Sequence, residues 1–281
     1  MIQGLAIWHY PHRTMAENIR FFATRGFEAV SLHGAQFVAA IADPVAAEDI
    51  ATAVRETGVL LTLHYCLPRS HEADAVAVFS AGIKAIAAWQ RRYGHIAILS
   101  FDVPQPVRGG KGIREYLELA LDTVPSCRVA VEDFGLNGDE RAQIKSLRGN
   151  ERFGYLVDIG HLFIRLRGQN TSGKTLFTHA PDEHERVEDP DASVFQKVLM
   201  SKDFPIFEMH LHNNDGVDDL HWFLEQGSMD VPAVAEALRA CGFDGVLTVE
   251  SAPGYKFECR GRDADEGILK TFAYWKTCCN S

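Results

Sequence analysis

With 281 residues, 46% of them hydrophobic, the chain can bury a sizeable core, and no apolar run approaches the roughly 18 residues that a membrane-spanning helix needs. A formal charge of −10 argues against a broad phosphate-backbone footprint, because nonspecific nucleic-acid affinity comes from clustered Lys and Arg. The six cysteines form no CxxC pair, and the opening MIQGLAIWHYPH is too short and too polar after Trp8 to be a secretory signal, so the expectation is a cytoplasmic protein with reduced thiols.

Apolar runs of strand length alternate with segments of helical spacing, the pattern of βαβ units around a parallel sheet. A first strand at 3–8 runs into His9, and a helix follows at 14–25 with Ile19, Phe22 and Ala23 on one stripe and Gly26 as its stop. A second strand at 28–32 ends on His33. Asp43-Pro44 then opens a helix that Gly58 closes. Residues 59–63 read as a strand buried on both faces and deliver His64. A long helix at 70–93 leads to a strand at 96–99, followed by Ser100, Phe101 and Asp102, a Pro- and Gly-rich loop and a helix at 113–124. The fifth strand, 127–131, ends at Glu132; the sixth, 155–157, ends at Asp158, with His161 three residues on.

Residues 168–191 are polar, rich in His and acids, and longer than the usual connection, so they read as a lid-like insertion. A helix resumes at 192–200. The seventh strand begins at Pro205 and carries His210 and His212 at period two, on one face, before a polar loop with Asp215, Asp218, Asp219 and His221. A helix at 231–241, a strand at 246–249 followed by Glu250, and a helix at 266–278 complete the alternation. Nothing divides the chain, and the expected architecture is a single (β/α)8 barrel domain over 1–281.

In such a barrel the strand ends converge on one mouth, so residues far apart in sequence become neighbours. Glu132, Asp158, His212 and Glu250 follow four successive strands, and three carboxylates with one imidazole suit Mn, Mg, Co, Fe or Zn as a divalent ion. Trp8, His9 and His33 are expected to line the same mouth. Residues 168–175 satisfy G-x-x-x-x-G-K-[ST], but no strand immediately precedes them and Pro181 interrupts the stretch after them, so a nucleotide site is not expected there; the weaker reading is a phosphate grip through Lys174.

Taken in order, AVEDFG at 130–135, VDIGH at 157–161, HLHNND at 210–215 and LTVES at 247–251 resemble the xylose isomerase-like TIM barrels over almost the whole chain. That family comprises sugar and sugar-phosphate isomerases and epimerases, inosose dehydratase-type lyases and the endonuclease IV branch. The resemblance implies Glu132, Asp158, His212 and Glu250 as ligands of one divalent metal, with His212 preferred to His210 because Asp215 stands three residues after it. It further implies Glu132 and Glu250 as the proton-transferring pair, and His161 near substrate or a second metal. Asp219 and His221 fit the family's D-x-H pair, whereas Glu225-Gln226-Gly227 replaces its usual Gly-Glu-Gly turn.

The expected activity is isomerisation or epimerisation of a sugar or sugar phosphate, by proton transfer beside a metal-bound carbonyl. A lyase acting on a polyol-derived ketone is the alternative that begins with the same proton abstraction. The other is an endonuclease IV-like phosphodiester hydrolase with a multi-zinc site, for which His64, Asp158, His161, His212, Asp219, His221 and Glu250 match but the fourth strand offers Leu99-Ser100-Phe101 in place of a histidine. Partners are expected to be small molecules rather than nucleic acid or membrane, and a homo-oligomer is compatible with this reading.

Overall fold

The computed structural model describes residues 1–68, 73–103, 112–134, 136, 138–167, 187–259 and 261–280. The phosphate-loop match at 168–175, Lys174 with it, and the expected insertion up to residue 186 lie outside the described residues. Among those described, no helix is long and apolar enough to cross a membrane.

Eight parallel strands form a closed barrel in sequence order: β1 Ile2–Ala6, β2 Ala29–His33, β3 Leu60–Cys66, β4 Ile96–Asp102, β5 Arg128–Glu132, β6 Phe153–Asp158, β7 Ile206–Leu211 and β8 Val246–Val249. The ring shuts where β1 pairs with β8, with Leu5 opposite Val249. Closure leaves no strand edge unpaired, which is why near-continuous Val, Leu and Ile runs are tolerated here without an aggregation-prone border. The expected (β/α)8 barrel is the observed fold.

Local chemistry explains the helices between the strands. Thr14 caps α1 Met15–Ala23 with a reciprocal Glu17 capping box, and α3 Pro44–Thr57 has Asp43 as its cap, Pro44 in its first turn and left-handed Gly58 as its stop. Then come α4 Ala73–Tyr93, α5 Ile113–Thr123, α8 Ala192–Met200, α9 Val231–Ala240 and α10 Arg262–Asn280. Three elements depart from the expectation. A short helix, α2 Gly34–Ile41, fills the connection after β2; it buries only Gly34 and Phe37, too few positions to make a stripe. The polar α6 Gly138–Ile144 buries Ile144 alone and leaves no periodicity to read. Third, α7 Ile159–Arg167 starts directly at Asp158 and is buried on most sides, so its apolar residues blur into the preceding strand.

Side-chain alternation sorts the barrel interior into layers. Two residues before the acids of β5 and β6, Ala130 and Leu156 join Ala29, Ile98, Phe207 and Val246 in a small apolar cluster separate from the main core. Within the same interior, Glu208 is fully buried, and its Oε1 accepts hydrogen bonds of 2.9 Å from the hydroxyls of Thr62 and Thr248. The polar groups of the mouth rest on this layer.

Candidate metal centre

The centre is built from the ends of β5 to β8 and the loop after β7. Glu132 and Asp158 are the last residues of β5 and β6, and Glu250 follows β8. His210 lies on β7 and His212 just beyond it, on the same inward face. Asn213 then turns the chain. Its Nδ2 donates to the carbonyls of Leu224 at 2.7 Å and Met229 at 3.3 Å, and its Oδ1 accepts the Met229 amide at 3.0 Å. A bridge between Asn213 and Trp222 folds the loop back and brings Asp219 and His221 to the mouth.

His221 adopts a positive φ of 51°, a backbone conformation that side chains other than glycine rarely take. Its surroundings hold it there: the carbonyl accepts the Ala252 amide at 2.9 Å, and Nδ1 donates to the Glu250 carbonyl at 2.9 Å. The ring lies flat on that of His212, with centroids 3.7 Å apart.

Three overlapping groups of donors, each within 4.8 Å of one another, result: Glu132, Asp158 and His161; Asp158, His210 and Glu250; and His161, His212, Asp219 and His221. Asp158 links them, since it belongs to two groups and its Oδ1 stands 3.2 Å from His212 Nε2. The four expected ligands are therefore neighbours around Asp158. His161 Nδ1 is 2.9 Å from Glu132 Oε1, and His161 Nε2 is 3.2 Å from Asp219 Oδ1. His210 Nδ1 is 2.9 Å from Glu250 Oε2, which puts His210 beneath Glu250 and above Glu208, whose Oε1 is 3.7 Å from its other nitrogen.

This packing of acids and imidazoles splits their ionisation. Burial pushes Glu132 up to about 7, against the pull of His161. Burial acts the same way on Asp158, yet His161 and His212 overcome it and bring that carboxyl down to about 2. Despite their own burial, His161 is raised well above the imidazole range by Asp158 and Asp219, and His210 by Glu250 and Glu208. His212 moves the other way, lowered by burial and by neighbouring His221. Glu250, also buried, is held well below the carboxylate range by His210 and His221.

Among the described residues, both ring nitrogens of His212 and Nε2 of His210 are buried and make no hydrogen bond of good geometry, although His212 Nε2 lies 3.2 Å from Asp158 Oδ1; this is an expensive state for an imidazole beside three carboxylates. A divalent cation takes oxygen and imidazole ligands together, and these donors fit one.

Other expected residues take clear places. Trp8, in the 3-10 turn after β1, is ringed by histidines, with centroid separations of 5.5 Å to His9, 6.3 Å to His33, 6.0 Å to His64 and 6.3 Å to His210. His64 Nδ1 lies 3.2 Å from the hydroxyl of Ser100. Asp215 uses Oδ1 to accept the amides of Val217 and Asp218, both at 2.8 Å, and it joins none of the donor groups among the described residues. Glu225 accepts from Thr271 of α10 at 2.6 Å. Two residues of the loop after β8 had no signal in the sequence: Tyr255, whose ring stacks on His9 at 5.9 Å, and Lys256, whose ammonium is 2.9 Å from Asp219 Oδ2. A lone Tyr-Lys pair carries no spacing that marks it; only the folded loop brings it to the mouth.

The same architecture recurs among solved structures. The IOLI protein with a binding zinc atom superposes with a TM-score of 0.67 at 12% identity, covering 98% of both chains. D-psicose 3-epimerase of Clostridium cellulolyticum H10 with D-tagatose gives 0.65 at 10% identity over 99% of each, and E. coli 3-keto-D-glucoside 4-epimerase 0.61 at 16% over 99% of this chain and 100% of that one. At such identities these likenesses speak to the fold. In sequence, an uncharacterized protein of Methanocaldococcus jannaschii is 25% identical over 135 residues, 48% of this chain and only 37% of that protein's length. The sequence pattern of the xylose isomerase-like TIM barrels matches residues 19–278. Together with the closed eight-stranded barrel, that match places the chain in the xylose isomerase-like TIM barrel family.

Proposed function

We propose that this chain, acting as one barrel unit, is a divalent-metal-dependent isomerase or epimerase of a sugar or sugar phosphate. The observation that carries the reading is the convergence of Glu132, Asp158, Glu250 and His212 at one barrel mouth beside a wall of aromatic rings. Glu132, Asp158, His212 and Glu250 would hold the metal, which when bound would polarise the carbonyl and adjacent hydroxyl of the substrate.

The protein's own groups divide the remaining work. Glu132 and Glu250 come from β5 and β8, on either side of the two strands that supply Asp158 and His212, and they are the carboxylates assigned to take and return the proton between those oxygens. His210 holds Glu250 from below, and His161 orients Glu132. Trp8 offers an apolar face for the carbon side of a sugar ring, while His9 Nε2 and His33 Nδ1, buried and without a hydrogen-bond partner among the described residues, are polar groups beside it. The epimerases among the structural neighbours act on ketoses or keto-sugars by their names, which agrees with this chemistry.

The test is proton exchange in deuterium oxide, with ketopentoses, ketohexoses and their phosphates, in the presence of Mn, Co, Mg or Zn. Deuterium should enter the carbon beside the carbonyl of at least one substrate, and Glu250→Gln should lower that rate about 10²–10⁴-fold without unfolding the barrel. Full activity in Glu250→Gln, or no exchange across the panel, would remove the reading.

A second reading, phosphodiester hydrolysis, draws support from the group His161, His212, Asp219 and His221, which could take a further ion. Against it stands Ser100, a poor metal donor, beside His64. Cleavage of an abasic-site duplex with zinc would favour it over the sugar reading.

A further inference from the structure

The donor group of His161, His212, Asp219 and His221, second to the one around Asp158, meets a positive charge of the protein's own. Asp219 is its sole carboxylate; Oδ1 faces His221 Nε2 at 2.9 Å and His161 Nε2 at 3.2 Å. The other oxygen, Oδ2, accepts from Lys256 Nζ at 2.9 Å, and the same ammonium donates to the Asp219 main-chain carbonyl at 3.1 Å. Lys256 thus grips one residue at two points.

Its loop is braced for this. The Lys256 amide donates to the Ala252 carbonyl at 3.0 Å, Gly254 donates to Phe257 at 2.8 Å with a φ of +74°, and Ala252 is itself tied to the His221 carbonyl. The ammonium therefore reaches Asp219 from a short, hydrogen-bonded turn rather than from a free chain.

Charge separates the two groups sharply. Around Asp158 and His212 stand the carboxylates Glu132, Asp158 and Glu250, whose ion pairs among the described residues are with imidazoles. Around Asp219, the imidazoles of His161 and His221 and one carboxylate are joined by one ammonium, which offsets the carboxylate's charge. A dication is drawn to the first group and meets a like charge at the second.

We propose that Lys256 is the resident cation of the second donor group, and that it sets the metal content of the barrel at one tightly held ion per chain. This rests on the metal-enzyme reading above and adds a residue that determines how many ions the site takes. The same ammonium holds Asp219 turned toward His161 and His221, so the group works as a polar wall for the substrate.

The experiment is calorimetric titration and elemental analysis of chelator-treated protein with Zn²⁺ and Mn²⁺, comparing wild type, Lys256→Met and Lys256→Arg. Wild type and Lys256→Arg should hold one tight ion. Lys256→Met, nearly the same length without the charge, should bind a second ion at least about tenfold more tightly than wild type does. Two equally tight ions in wild type would overturn the proposal and leave the metal-enzyme reading standing. A second-ion affinity that is unchanged or weaker in Lys256→Met would overturn it too, the weaker case meaning that Lys256 braces Asp219 as a ligand. No tight ion in any variant would instead strike the metal-enzyme reading itself. Circular dichroism and thermal unfolding of each variant check the fold, and should Lys256→Met fail to fold, Lys256→Gln takes its place.

Discussion

At the scale of single residues, the centre depends on groups that never touch a ligand. Gly160 is one. A Cβ there would fall on the His212 ring, inside contact distance of Cε1, Nε2 and Nδ1, so only glycine lets the first turn of α7 pass this imidazole. Gly160→Ala should push His212 out of line and weaken metal binding about 10–100-fold, as loss of an orienting group does, with thermal unfolding showing a barrel still intact. Binding equal to wild type would mean that His212 is not a ligand. Glycine at this position was legible as part of VDIGH, but its reason was not, because the residue it makes room for lies in another strand.

Elements hold the mouth in place through contacts at its rim. Arg13, just before α1, forms a two-point ion pair with Asp265 in the first turn of α10, and His12 adds a contact of 3.3 Å. That pair fastens the last helix to the first. Burial pulls the Asp265 carboxyl upward, but hydrogen bonds and charge from Arg13, with His12 helping, prevail and leave it below the usual carboxylate range. A folded-state pKa below the unfolded one adds stability above the unfolded value and loses it as pH falls through the folded value. Asp265→Asn should therefore cost about 1.5–3 kcal/mol at neutral pH. In urea unfolding the gap to wild type should close below about pH 4. A gap independent of pH would show that packing rather than charge joins the two helices.

The elements also show where sequence reading succeeds. Helices with strong caps, such as α1 and α3, and strands buried on both faces were legible from the pattern alone. The helices α2 and α6 were not, because each is short and buries too little to leave a stripe. The long connection at 168–191 gave only composition to reason from.

For the whole molecule, closure of the barrel is what turns scattered residues into a site. Glu132 and Glu250 are 118 positions apart in sequence and share a donor neighbourhood through Asp158. Their places at strand ends could be read in advance, since a strand ending in an acid or histidine is a local signal repeated strand after strand. The electrostatic partition could not, because it arises from contacts across the mouth: His210 between Glu208 and Glu250, His161 between Glu132 and Asp219, and Lys256 against Asp219. Such pairs follow from three-dimensional packing of loops whose lengths carry no code.

The central claim is that Asp158 and its neighbours form a divalent-metal site. The direct measurement is titration of chelator-treated wild type and Asp158→Asn with Mn²⁺ and Zn²⁺, read by calorimetry. One tight site in wild type, weakened at least about 100-fold in Asp158→Asn while the fold persists, is the predicted result. Equal binding by the two proteins, or none by wild type, would contradict that claim.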